Sequence, residues 1–183
     1  MDWIKRLARK LCGDYALYRI YALDLQQEIQ QTPTPAKLKI ITQVKELEQS
    51  TNDDLRKLVF YQQPESLCFG AYVEDRLAAV CWVWYGETYR SQRNFWPLQE
   101  GEAKLVQIVT DVTYRGMGLA PALINFTARS LKERGFHRVY ARIWHSNAPS
   151  VQAFSKVNWK YIAFVAEIFP FGAKCPLRFA WRI

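Results

Sequence analysis

Two histidines and four cysteines in 183 residues leave little with which to hold a metal or to staple loops. His137 and His145 are eight residues apart with no cysteine near them, and Cys12, Cys68, Cys81 and Cys175 are scattered without any Cys-x-x-Cys spacing. Neither a structural zinc nor a disulfide framework is indicated, and no metal is expected. Long hydrophobic runs are also missing. Met1 to Leu11 lacks the unbroken apolar core of a secretory signal, and the longest apolar run, Leu77 to Tyr85, is too short to span a bilayer. A reduced, cytoplasmic protein is expected. Two familiar phosphate loops are absent as well. No Gly-x-x-x-x-Gly-Lys-Ser/Thr occurs, and the dinucleotide pattern fails because Pro121 occupies its third glycine and no acidic residue follows on a second strand about 20 residues later.

Acidic side chains are the scarcer charge, 17 against 25 basic ones, so the chain carries a formal +8 and favours anionic partners: phosphorylated ligands, an acidic lipid surface or nucleic acid. Nucleic acid is not expected, because no module signature for it occurs and the aromatics lie in apolar strands rather than between basic residues. Half of the residues are hydrophobic and 15% aromatic, enough for a real core, and no linker interrupts the chain. Residues 1–183 read as a single domain.

Along the chain, Trp3, Ile4, Leu7, Ala8 and Leu11 share one helical face while Lys5, Arg6, Arg9 and Lys10 share the other. The spacing predicts an amphipathic helix at 2–12 that either docks on its own domain or a second subunit, giving a homodimer, or rests on the inner membrane surface as a peripheral contact. Tyr15 to Leu23 reads as a strand, and Thr32 to Pro35 as a loop. Two helices are predicted around Leu38 to Gln49 and Asp53 to Gln62, the second capped by Asn52 or Asp53. Leu67 to Glu74 and Arg76 to Tyr89 read as a hairpin turning at Glu74-Asp75, its second strand apolar enough to be covered on both faces. Arg90 to Gly101 reads as a loop over the site, and strands follow at Ala103 to Asp111, Arg138 to His145, Tyr161 to Phe169 and Arg178 to Ile183.

Between the strands at Ala103 and Arg138 lies the stretch that organises the rest. Arg115-Gly-Met-Gly-Leu-Ala120 places two glycines where side chains would block approach to the backbone, so consecutive N–H groups can face one anion. Pro121 fits the first turn of a helix that starts near Gly118, and Gly135 past Arg134 reads as its left-handed stop. Leu119, Leu123, Phe126 and Ser130/Leu131 form its buried stripe. An anion at Gly116 to Ala120 would sit on the positive end of this helix.

This bend resembles the pyrophosphate-binding signature of the GNAT superfamily of acyl-CoA-dependent N-acyltransferases, Gln/Arg-x-x-Gly-x-Gly/Ala, here Arg115-x-x-Gly118-x-Ala120. A second element similar to the family's follows in register, Asn147-x-x-Ser150-x-x-x-Phe154-x-Lys156-x-Asn158-Trp159. The resemblance covers the chain from Leu67 to its end. It implies an α/β, GNAT-like fold with a mixed, mostly antiparallel sheet of about seven strands flanked by helices. It also implies acetyl-CoA as cosubstrate, its pyrophosphate held by Arg115, Gly116, Met117, Gly118, Leu119 and Ala120. By position in the family, main-chain groups of Ile108 and Thr110 would hold the pantetheine arm and polarise the thioester across a bulge. Asn147 reads as helix cap, as contact to the amide arm, or both.

The chain departs from the family at two places. Asn158 replaces a usual glycine, and asparagine is the next best residue for a left-handed backbone. Phe154 stands where many members carry a tyrosine that protonates the departing thiolate, and phenylalanine cannot donate. Candidate bases are His145, with an ordinary pKa of about 6.5, Glu102 at the start of the cofactor strand, and Asp111. Tyr161 and Ser155 are candidate acids. The implied reaction is acetyl transfer to a primary amine: an amino sugar or other small amine, alternatively a protein N-terminus or lysine, with Trp82, Trp84 and Trp96 as hydrophobic lining. A regulatory protein that binds acyl-CoA without turnover stays open because of Phe154.

Overall fold

A computed structural model describes residues 13–93, 95–170 and 175–183; the amphipathic helix expected at 2–12 lies outside the described residues. Strand β1 (Asp14–Asp24) is followed by β2 (Lys37–Ile41), the short helices α1 (Lys45–Glu48) and α2 (Asp53–Arg56), and a 3-10 turn at Lys57–Tyr61. Next come β3 (Ser66–Val73), β4 (Arg76–Tyr85), α3 (Gly86–Gln92) and β5 (Glu102–Thr110). A second 3-10 turn (Val112–Tyr114) leads into α4 (Leu119–Glu133), β6 (Arg138–Trp144), α5 (Ala148–Ser155), β7 (Lys160–Phe169) and β8 (Leu177–Arg182).

The eight strands form one sheet in the order β2-β3-β4-β5-β6-β1-β7-β8. All neighbours are antiparallel except β5 and β6, which α4 joins as a parallel crossover. Alternation along β4 separates two faces. Ala79, Cys81 and Val83 pack with Leu119, Leu123 and Ile124 of α4, while Val80, Trp82 and Trp84 point to the other side. There they meet Leu55 and Leu58 of the segment between β2 and β3, and Tyr89 and Phe95 of the segment after β4.

Three expectations are corrected. One of the eight strands, β2, lies inside the segment read as a helix from Leu38 to Gln49. Pairing of Lys37–Ile41 with Tyr72–Cys68 of β3 satisfies its backbone, which leaves only one helical turn at Lys45–Glu48. Strand β4 stops at Tyr85 rather than Tyr89. Gly86 turns left-handed at φ +55°, and the Glu65 carboxylate accepts the Thr88 N–H at 2.8 Å, capping a helix where the strand was expected to continue. Finally, the 90–101 segment is no simple overhanging loop. It contributes Phe95 and Leu98 to the core, and the Tyr89 hydroxyl accepts the Trp96 N–H at 3.0 Å.

The hairpin turn falls as expected, with Glu74 and Asp75 both left-handed, the requirement of a tight two-residue connection. Asn158 also takes the left-handed conformation, φ 59°.

Candidate active site

Strands β5 and β6 pair only from Glu102↔Arg138 to Leu105↔Ala141. Beyond that point β5 follows β4 and β6 follows β1, so the parallel pair parts. A register shift against Trp82/Val83 gives Val106 no partner on β4, a bulge that bends β5 away. The Asp111 N–H donates to Ala78 O at 2.8 Å, toward β4. Main-chain direction alternates along a strand, so Val109 also faces β4 while Ile108 and Thr110 turn their N–H and C=O groups to the gap.

A cleft of about 570 Å³ opens beside these residues on the α4 face. It is lined by Ile108, Thr110, Arg115, Gly116, Gly118 and the first turn of α4, and across from them by Asn147, Ser150 and Phe154 of α5. Gly116 and Gly118 have φ of +84° and +72°, and a Cβ built on either meets nothing within 4 Å. The bend is open. Gly118 is the helix N-cap without any side-chain cap, and among the described residues none of the N–H groups of Gly116 to Ala120 donates to a protein acceptor. Five consecutive donors at the positive end of α4, with Arg115 beside them, fit the pyrophosphate of a nucleotide cofactor in shape and charge.

Asn147 caps α5, its Oδ1 accepting the Ser150 N–H at 3.2 Å, and also lines the cleft. Phe154 is buried and packs edge-on against Trp159 with ring centroids 4.8 Å apart, so position 154 itself offers no hydroxyl, although Ser150 and Tyr114 line the same cleft. Met117 projects away from the cleft and is exposed.

The three candidate catalytic side chains do not come together. Glu102 is 4% exposed at the paired end of β5 and β6. Its carboxylate accepts the Tyr140 hydroxyl and the Gln99 N–H, both at 2.9 Å, with Arg138 at 3.8 Å. That is a structural junction. His145 is exposed, continues the β6–β1 pairing through its N–H to Leu17 O, and lines neither this cleft nor the one described next. Tyr161, at the start of β7, stacks near Tyr21 and Arg19. Asp111 caps the second 3-10 turn, and the hydrogen bond from the Thr113 N–H holds its carboxyl below the usual range. Ser155 bonds back to Val151 O. The expected tryptophan lining is corrected too: Trp82 and Trp84 are fully buried in the core. At the two buried cysteines thiolate chemistry is disfavoured, since burial pushes the Cys81 thiol up to about 12 and raises Cys68.

A second, smaller cleft of about 180 Å³ lies at the same parting of the strands but on the opposite face. Leu105, Val106 and Gln107 form its floor, so β5 is the wall the two clefts share. Tyr61, Tyr89, Arg93, Phe95, Lys104, Arg142 and Trp144 complete it. Sequence reading missed these residues. The available signal was Lys104 itself, between Ala103 and Leu105 in the strand expected to carry the cofactor.

A sheet whose single parallel pair parts beside an uncapped glycine bend defines a fold built to hold a phosphorylated cofactor against a strand edge. Residues 19–159 match the acetyltransferase (GNAT) family, and the chain belongs to that family. Its fold is similar to that of a GNAT-family protein from Novosphingobium aromaticivorans (TM-score 0.60, 16% identity, 85% of this chain and 64% of that one). It is likewise similar to a GCN5-related N-acetyltransferase from Sphaerobacter thermophilus (TM-score 0.57, 14% identity, 94% and 58%) and one from Kribbella flavida (0.59, 10%, 87% and 60%). The chain thus spans less than two thirds of the length of these three structures. No curated protein sequence matches it. Among the described residues no helix is long and apolar enough to cross a membrane, and no group of acidic, histidine or cysteine side chains could hold a metal.

Proposed function

We propose that the protein transfers an acetyl group from acetyl-CoA to the primary amine of a small molecule such as an amino sugar. The observation that carries this reading is the open bend at Gly116 and Gly118, with free main-chain donors, facing a cleft bounded by the parted strand β5. Acetyl-CoA supplies an activated acyl group. Arg115 and the N–H groups of Gly116 to Ala120 hold its pyrophosphate, and Asn147 borders its amide arm. Main-chain groups of Ile108 and Thr110 orient the thioester in the gap and favour negative charge on its oxygen without reorganising. The acceptor nitrogen enters from the smaller cleft across β5. Phe154 leaves the thiolate to depart without a tyrosine acid, which its modest basicity allows, thiols having an ordinary pKa of about 8.5.

Phe154 also favours a second reading, binding of acyl-CoA without turnover. Acetyl-CoA should raise the melting temperature under either, by binding the folded state. Release of free thiol with a panel of small amines is expected only of the enzyme. No melting shift at saturating acetyl-CoA would remove both.

A further inference from the structure

The smaller cleft holds three basic side chains and no carboxylate. Lys104 is 3% exposed, and its Nζ has no hydrogen-bond partner. Arg142 lies over the Phe95 and Tyr18 rings, Cζ to centroid 4.2 and 4.6 Å, and Arg93 over Trp84 at 5.3 Å. Among the described residues neither guanidinium has a hydrogen-bond or ion-pair partner, although each carries five donors. Both guanidiniums lie against aromatic rings, and a guanidinium in such a place can grip an oxyanion in two-pronged fashion. Burial, reinforced by Arg142, pushes the Lys104 amine well below its ordinary value.

We propose that this cleft takes an acceptor amine that also bears a carboxylate, of the amino-acid class: Arg93 and Arg142 hold the carboxylate, and the Lys104 amine receives the proton the acceptor ammonium must lose. The inference rests on the acetyltransferase reading above and narrows its small amine to one that bears a carboxylate, in place of the amino sugar. A cleft of about 180 Å³ admits a molecule of that size. The step balances as follows. One proton passes from the acceptor ammonium to Lys104 Nζ, and thence to solvent. The freed lone pair forms the C–N bond at the thioester carbonyl, the C–S bond breaks with its electron pair going to sulfur, and the nitrogen's second proton ends on the thiolate. The bound carboxylate offsets the cations and thereby raises the proton affinity of Lys104 at the moment it is needed. The charged and titratable groups set around Lys104 and Arg142 are Arg93, Tyr61, Tyr89, Tyr18 and Glu167.

The test uses the full chain with saturating CoA and follows melting temperature against glycine, β-alanine, γ-aminobutyrate and the common amino acids, each beside its carboxamide. At least one carboxylated amine is expected to stabilise the protein and its amide not to; stabilisation by none, or equally by the amides, overturns the proposal. With acetyl-CoA, thiol release should show the same preference. Arg93→Gln, an exposed position, should raise KM for the carboxylated amine about tenfold and leave stabilisation by acetyl-CoA unchanged. Lys104→Met should lower kcat with little change in KM, and the deficit should shrink at alkaline pH, where the acceptor is already neutral. Unchanged kcat in Lys104→Met overturns the proton role. Acetyl-CoA binding and thiol release without carboxylate preference would leave the acetyltransferase reading standing and remove this one.

Discussion

Lys104 lies where few lysines do, shut from water and donating to nothing. Such a group costs its desolvation and recovers none of it through hydrogen bonds. Lys104→Met, which keeps the length and removes the polar end, is therefore expected to stabilise the fold by about 1–3 kcal/mol in urea titrations while impairing turnover. Lower stability in that variant would mean that the amine has a partner. Glu102 is the opposite case. Its carboxylate is buried too, but it accepts the Tyr140 hydroxyl and the Gln99 N–H. Glu102→Gln should lose about 1–3 kcal/mol and leave the acetyl-CoA melting shift intact. Loss of the shift would restore Glu102 to the site. Sequence could name both residues as charged positions on one strand. Which of them had partners depended on Gln99, Tyr140 and Arg142 arriving from elsewhere.

At the scale of elements, α4 carries the most information. Its beginning is left uncapped by side chains, and the left-handed Gly118 turns the chain so that free N–H groups line the cleft. Asparagine and aspartate both tolerate that backbone and differ in charge, so comparing them isolates the electrostatics. Gly118→Asp should abolish the melting shift given by acetyl-CoA, whereas Gly118→Asn should retain part of it. Equal loss in the two would mean that steric closure, not charge, sets the requirement. This helix was legible in the sequence because its start signal, stripe and stop at Gly135 are all local. The strand β2 was not. Its apolar residues suit a helix as well as a strand, and only the free edge of β3 decides between them. Helix α3 escaped for a similar reason, since the carboxylate that caps it belongs to Glu65.

Across the whole molecule, buried ionisable groups give stability a particular pH course. The folded value of Lys104 lies well below its ordinary one, so between the two the unfolded chain binds the extra proton and stability rises with pH up to the ordinary lysine value of 10.5, by at most about 1.4 kcal/mol per pH unit. Cys68 and Cys81 work the other way. Their folded values are raised above the ordinary 9.0, so the unfolded state sheds those protons first and stability falls above that pH. Tyr72 and Tyr89, raised above 10.0, add to the decline. Urea unfolding from pH 7 to 11 is expected to show a rise, then a fall beginning near pH 9. Lys104→Met should flatten only the rising limb, and an unchanged limb would show that Lys104 stays protonated in the fold.

By itself the sequence determined the family, the open glycine bend and most of the strands, because glycine and proline placement and short periodicities act over a few neighbouring residues. Tertiary structure alone decided which charges meet. Arg93, Lys104 and Arg142 stand on segments that the sheet order sets side by side and the chain keeps up to 49 residues apart, so neither the smaller cleft nor its lack of a carboxylate exists until β5, β6 and the turn after α3 have packed.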